Sequence, residues 1–198
     1  MRQYRIPEIL IVVGILSIVV LAQSRTLTVE RHDDRLCVSA PQLHFIVDKA
    51  LEKLHNGSSI TYVITLTAVP EHGRTPAYVL REQFVVSYDL WEEKYSVVLK
   101  GRNGRTVSRL TAEMAEAWCL ENMPIPVQEV PEKKAFVIRL MCSIKESEWE
   151  NGGKSSSGLT LANLIEVFSR KEKEEPPRWE ATSGPIRVDS LKDVERSR

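Results

Sequence analysis

The chain has 198 residues, of which 42% are hydrophobic and 27% charged, with 27 basic residues balanced by 27 acidic ones. A formal charge of zero argues against a nucleic-acid surface or a polyacid binder, since phosphate recognition leans on a clear positive field. The length suits one domain with one core rather than several.

The first element is an export signal. Arg2 and Arg5 precede an uncharged apolar run, residues 9–22, and the chain turns polar at Gln23. A positive start, a short apolar stretch and a small residue at Ala22 are the parts of a cleaved signal peptide. As a helix the run would reach only about 21 Å at about 1.5 Å per residue, short of the roughly 30 Å hydrocarbon core. An uncleaved N-terminal anchor is the alternative; Arg2 and Arg5 would then stay on the cytoplasmic side. Either way the rest of the chain is expected outside the cytoplasm, periplasmic or tethered to the inner membrane. Residues 1–22 are therefore set apart from a globular domain at 25–168 and a charged, largely flexible tail at 169–198.

Residues 26–30 and 35–39 read as a hairpin around the polar turn Arg31-His32-Asp33-Asp34. A helix follows: Leu43, Ile46, Val47, Ala50, Leu51 and Leu54 recur near the 3.6 period, with Ser39 and Pro41 as start signals and Asn56-Gly57 as the stop. Asn56-Gly57-Ser58 also matches a glycosylation sequon, which the capping role accounts for without further assumption. Residues 59–69 alternate and are rich in β-branched side chains, the clearest strand of the chain. Residues 78–88, 94–100 and 106–110 read as further strands. They are joined by connections too short for parallel neighbours, so the sheet is expected to be an antiparallel meander.

Thr111 begins a second helix, residues 112–122, with Glu113 and Glu116 near its positive end and Met114, Ala115, Trp118 and Cys119 as its apolar stripe. Residues 123–131 form a proline-rich connection. Residues 135–144 are the last strong strand, with Phe136, Ile138, Leu140, Cys142 and Ile144 on one face. A polar excursion at 146–157 and a short amphipathic helix through Leu161, Leu164, Ile165 and Phe168 follow. The tail reads as disordered, except that Trp179 and residues 186–191 could dock. The fold class implied is a β-rich α+β domain: an antiparallel sheet or two-sheet sandwich with two to three packed helices.

No catalytic, cofactor or metal motif stands out. His32-Asp33-Asp34 has ligating atoms but lies in a turn, where neighbouring side chains splay apart. His44 and His55 would be roughly 16 Å apart along a helix at about 1.5 Å per residue, too far to share a metal. Glu146, Glu148 and Glu150 alternate, yet an EF-hand loop would need glycine where Asn151 stands and glutamate where Ser157 stands. Glu92 and Glu93 are consecutive and do not converge on one substrate. Lys100, Arg102, Arg105 and Arg109 are better read as a charged edge that discourages aggregation than as an anion site. Three cysteines, Cys37, Cys119 and Cys142, lie in apolar stretches and read as small buried hydrophobes, with one disulfide as the alternative.

The most distinctive segment is Tyr88-Asp89-Leu90-Trp91-Glu92-Glu93-Lys94-Tyr95. Asp89 can cap a tight turn and the tyrosines can pack across the strand pair. Tyr88, Asp89, Trp91 and Tyr95 are the candidate partner-contact residues, since tryptophan and tyrosine are favoured anchors at interfaces. A purely structural clasp is the competing reading.

At this segment the chain resembles a family of exported bacterial proteins, domain of unknown function 4390. The Tyr-Asp turn and the Tyr-x-Val strand after it carry the likeness, with the helix ending at Asn56-Gly57, the strand at 60–66 and the helix at 110–120 in the same order. The likeness spans roughly residues 25–145; the tail after Phe168 and the short second helix depart from it. It implies a bacterial envelope location and brings no reaction, substrate or catalytic residue. The expected function is a non-enzymatic binding or scaffolding domain of the envelope, with a protein or lipid partner, no nucleic acid, and the membrane engaged through residues 9–22 if they are not cleaved. The alternative is a domain binding a small apolar ligand or lipid in a pocket between sheet and helices.

Overall fold

A computed structural model of the chain describes residues 26–101, 104–145 and 175–191. The apolar segment at 9–22, the excursion at 146–157 and the helix expected through 161–168 lie outside the described residues. No helix among the described residues is long and apolar enough to cross a membrane.

The described residues form a β-rich α+β structure with two antiparallel sheets and two α-helices, as the alternating pattern implies. Strands β1 (Thr28–His32) and β2 (Arg35–Ser39) form the first hairpin, paired from Thr28↔Ser39 to His32↔Arg35. Asp33 turns it at φ 53°, a left-handed conformation that Asp tolerates better than most residues. Helix α1 is Asp48–His55. Strands β3 (Ile60–Pro70), β4 (Tyr78–Asp89), β5 (Lys94–Lys100) and β6 (Thr106–Leu110) form the expected meander. Helix α2 is Ala112–Glu121, and the Thr111 hydroxyl accepts the Met114 amide as its cap. A two-residue strand β7 (Ile125–Pro126) lies in the proline-rich connection, followed by β8 (Phe136–Ile144) and β9 (Arg178–Thr182).

The larger sheet runs β6-β5-β4-β3-β8-β9 and the smaller β1-β2-β7. Strict alternation sets the inner face of the larger sheet: Tyr62, Ile64, Leu66 and Ala68 of β3 pair with Phe84, Leu80 and their neighbours on one side, and with Ile138, Leu140, Cys142 and Ile144 on the other. A one-residue slip would turn this whole set to the opposite face. The smaller sheet contributes Val29, Leu36, Val38 and Ile125, α1 contributes Ala50 and Leu54, and α2 contributes Ala115, Cys119 and Leu120 to the same core. Helix α2 touches both β2 and β5, so it joins the two sheets.

Two expectations are corrected. The first helix begins at Asp48, not near Leu43; residues 41–47 cross the core as an irregular segment. Leu43, Phe45 and Ile46 are all buried, and the amides of Phe45 and Ile46 bond to the Glu116 carboxylate instead of to helical carbonyls. The aromatic ring of Phe45 packs on Tyr62 (4.9 Å between centroids) and Trp179 (6.3 Å), and its carbonyl accepts the Tyr62 hydroxyl at 3.2 Å. Second, Met114 is exposed on α2, and Glu116 is buried in its place. The part of the tail that was expected to dock, at Trp179 and residues 186–191, packs on the domain and adds a strand to it. Strand β9 pairs with β8 from Arg139↔Thr182 to Ser143↔Arg178, and Phe136 and Ile186 exchange both backbone hydrogen bonds at 2.9 Å. Ser183 and Ile138 are likewise joined twice, through the Ser183 amide and its hydroxyl. The burial of Trp179 and Ala181 supplies the driving force.

Candidate interaction site at the 88–95 hairpin

Strands β4 and β5 bring Tyr88 and Tyr95 directly opposite each other, with Asp89 opposite Lys94. By alternation the two tyrosines share the inner face with Phe84, Val86 and Val97. They are turned toward the core edge and packed at 4.8 Å between ring centroids. His55, the last residue of α1, covers them: its ring lies 4.2 Å from Tyr88, and its Nε2 is hydrogen-bonded to the Tyr95 hydroxyl at 3.1 Å. Burial, then the neighbouring Tyr88, and after it Glu113 and Glu116, raise the Tyr95 phenol above its ordinary pKa. The pair therefore serves first as a clasp between helix and hairpin.

Asp89 holds the turn. Its Oδ1 accepts the amides of Trp91 (2.8 Å) and Glu92 (3.0 Å), which hold the carboxyl below the usual carboxylate range, Glu92 more than Trp91. The turn closes through Glu93 at φ 53°. Arg109, itself at φ 63°, donates two hydrogen bonds to the Glu92 carboxylate, at 2.9 and 3.2 Å. Two bulky residues in left-handed conformations, each costing about 1 kcal/mol, are thus held beside one tip by a bidentate ion pair. Such strain tends to gather at functional places.

On this fixed turn Trp91 is 97% exposed and Leu90 57% exposed. Of the four candidate contact residues, the structure turns Tyr88 and Tyr95 inward, uses Asp89 as a cap, and presents Trp91 to solvent.

Beneath the hairpin lies the residue that sequence reasoning missed. Glu116, on the second turn of α2, is 5% exposed. Its Oε1 accepts the amides of Phe45 (2.6 Å) and Ile46 (2.7 Å), and its Oε2 accepts His44 Nδ1–H at 2.9 Å. One carboxylate thereby fixes the irregular segment at 41–47. The sequence marked Glu116 only as an acidic residue near the positive end of a short helix, and it was read as a favourable helix-end charge. Nearby, Glu113 is held below the usual carboxylate range by its own amide, then by Thr111, with a smaller contribution from His44.

Other sequence candidates are dispersed. His32 pairs with Glu30 at 3.7 Å and Asp34 with Arg35 at 3.5 Å. His44 and His55 have separate partners. Glu146, Glu148, Glu150 and Arg102 lie outside the described residues. Arg105 bonds Asn122 at 3.1 Å. Cys119 and Cys142 are buried free thiols, and Cys37 is half-buried. No three His, Cys, Asp or Glu side chains gather as a metal site among the described residues. A cavity of about 510 Å³ lies on the outer face of the larger sheet, not between α1 and the strands; threonine, arginine and glutamate line it together with Val69, Pro76 and Met141.

Comparison with protein-family models, with curated proteins and with solved structures finds no match to this chain.

Proposed function

We propose that this chain is an exported envelope protein whose folded part is a non-enzymatic binding domain, with the tip of the β4–β5 hairpin as its contact for a protein partner. The observation that carries the reading is Trp91. A nearly fully solvated tryptophan beside an exposed leucine leaves a large apolar area in water. Tryptophan is among the strongest anchors when such a surface is covered. The turn beneath it is held by Asp89 and by the Arg109–Glu92 pair, so little ordering entropy is left to lose on binding.

The position of the tip favours a protein over the bilayer that would hold residues 9–22. The chain enters the fold at Thr26, which bridges Thr182, level with Arg139 and Thr67. The hairpin leaves from the other end of the sheet, beyond Ile60↔Val86. Seven steps of β3 separate these levels, about 23 Å at roughly 3.3 Å per residue. A tether at the N-terminus would leave the tip facing away from its membrane.

The test is a photo-crosslinking amino acid at Leu90 in the full chain, in intact envelopes, with the same probe at exposed Val79 as control. A discrete protein adduct from position 90, lost when Trp91→Ala is added, is expected. Thermal stability should be unchanged by Trp91→Ala within about 0.5 kcal/mol, since the side chain is solvated. No adduct at position 90, or one indifferent to Trp91→Ala, would refute the reading.

A further inference from the structure

The outer face of the larger sheet carries a second feature, independent of the hairpin. Two rows of outward side chains cross three strands: Thr65, Met141 and Glu180 in one row, and Thr67, Arg139 and Thr182 in the next. The loop after β3 rises beside them as a wall, bringing Gly73, Arg74 and Pro76 to a groove of about 510 Å³. That wall is fixed. Glu71 N–H donates to Ala135 O at 2.9 Å, Gly73 N–H to Pro70 O at 2.8 Å, and Ala77 N–H to Ala68 O at 2.8 Å. A Cβ at position 73 would come within 3.1 Å of the Pro70 side chain, so glycine lets the loop fold tightly back on the strand.

The groove holds two basic groups and one acidic group. Among the described residues, Arg74 and Arg139 make no ion pair or side-chain hydrogen bond, and neither does Glu180. Most basic side chains at such an edge would be accounted for by solvation alone. Here two guanidinium groups, one from the strand floor and one from the loop, border one concave space with three threonine hydroxyls. Guanidinium forks match the oxygens of a phosphate or carboxylate. Threonine hydroxyls both donate and accept, and Glu180 accepts only. The volume lies within the usual range for small-molecule pockets, about 300–1,000 Å³. It is many times the roughly 30 Å³ share of one water, so it suits more than a bare inorganic anion.

We propose that this groove binds a hydroxyl-rich molecule bearing a single anionic group, its phosphate or carboxylate held by Arg74 and Arg139 and its hydroxyls by Thr65, Thr67, Thr182 and Glu180. Glu180 opposes a second anionic group. Among the described residues no aromatic ring lines the groove, so an uncharged sugar finds no stacking surface there and gains little. The same chemistry is offered by a soluble sugar phosphate or uronate and by the glycerol-phosphate headgroup of an acidic lipid. The groove adjoins Thr182, the residue bridged by Thr26, which puts it at the end of the sheet where the N-terminal segment enters.

The experiment uses the full chain in non-ionic detergent and ligand-observed NMR with four probes: glucose 6-phosphate, glucuronate, glucose, and short-chain phosphatidylglycerol with phosphatidylcholine as its control. The anionic probes should bind, with glucose weaker by about tenfold or more, the scale of one lost charge-assisted contact. Arg139→Gln and, separately, Arg74→Gln should each weaken anion binding by about tenfold. Arg74 is on a loop and outside the ladder, so its variant guards against a sheet defect in Arg139→Gln. Binding of glucose 6-phosphate and glucuronate would support the site with a soluble ligand. Binding of phosphatidylglycerol alone, with the same arginine dependence, would support it with a lipid headgroup. Binding of neither class, or binding indifferent to both arginine substitutions, would overturn it. The hairpin reading stands or falls separately, because Trp91 and the groove are at opposite ends of the sheet.

Discussion

Glu116 illustrates how one side chain can decide a local fold. The segment at 41–47 has apolar residues at near-helical spacing, and a helix through it would satisfy propensity alone. Instead its amides at Phe45 and Ile46 converge on one buried carboxylate oxygen. A hydrogen bond to a charged group is worth more than a neutral one, and an orphaned buried amide costs about 1–3 kcal/mol. Glu116→Ala should therefore destabilise the protein by about 2–5 kcal/mol, whereas Glu116→Gln, which keeps one acceptor oxygen, should cost about 1–2 kcal/mol. Urea unfolding followed by tryptophan fluorescence would measure both. Equal, near-zero losses would show that the 41–47 segment is held by Phe45 packing alone. The residue was legible as acidic and helical, but not as inward-facing, because its partners are some seventy positions away in the chain.

Among the elements, the strands were the most legible and the tail the least. β3, β4, β5 and β8 follow from alternation of β-branched and aromatic residues over long runs. The 88–95 hairpin follows from an aspartate able to cap a turn. β9 has only five residues, RWEAT, in a stretch otherwise dominated by charge and proline. Its strand character comes from the free edge of β8 and from the niche that receives Trp179 against Phe45 and Tyr62. Trp179→Ala should cost about 3–5 kcal/mol, the usual range for emptying a large aromatic site. A chain ending at residue 175 should lose at least as much, since Ala181 and the Ile138–Ser183 bonds go with it. Calorimetry of the two variants against the intact chain is the check; an intact melting temperature in the truncated chain would mean that β9 is an appendage and not part of the core.

For the molecule as a whole, the two sheets and two helices share one apolar interior. The thiols of Cys119, on α2, and Cys142, on β8, are both buried in it and pushed well above their ordinary pKa, chiefly by burial. The thiolate is the reactive form, so at pH 8 iodoacetamide should reach these two cysteines only through global opening. Their alkylation should accelerate with urea in parallel with unfolding. Labelling in native buffer at the rate of a free thiol would show that the core opens locally instead. The sequence by itself determined the β-rich α+β class, the antiparallel meander, the capped second helix and the inward face of β8, because these rest on short-range periodicity and turn chemistry. Tertiary structure alone decided where α1 begins, that Glu116 is buried, that the tail completes the sheet, that Trp91 rather than the tyrosines faces solvent, and that Arg74 and Arg139 share a groove. Each of these depends on which distant residues the folded chain brings within hydrogen-bond or packing distance, and one-dimensional spacing does not encode that distance.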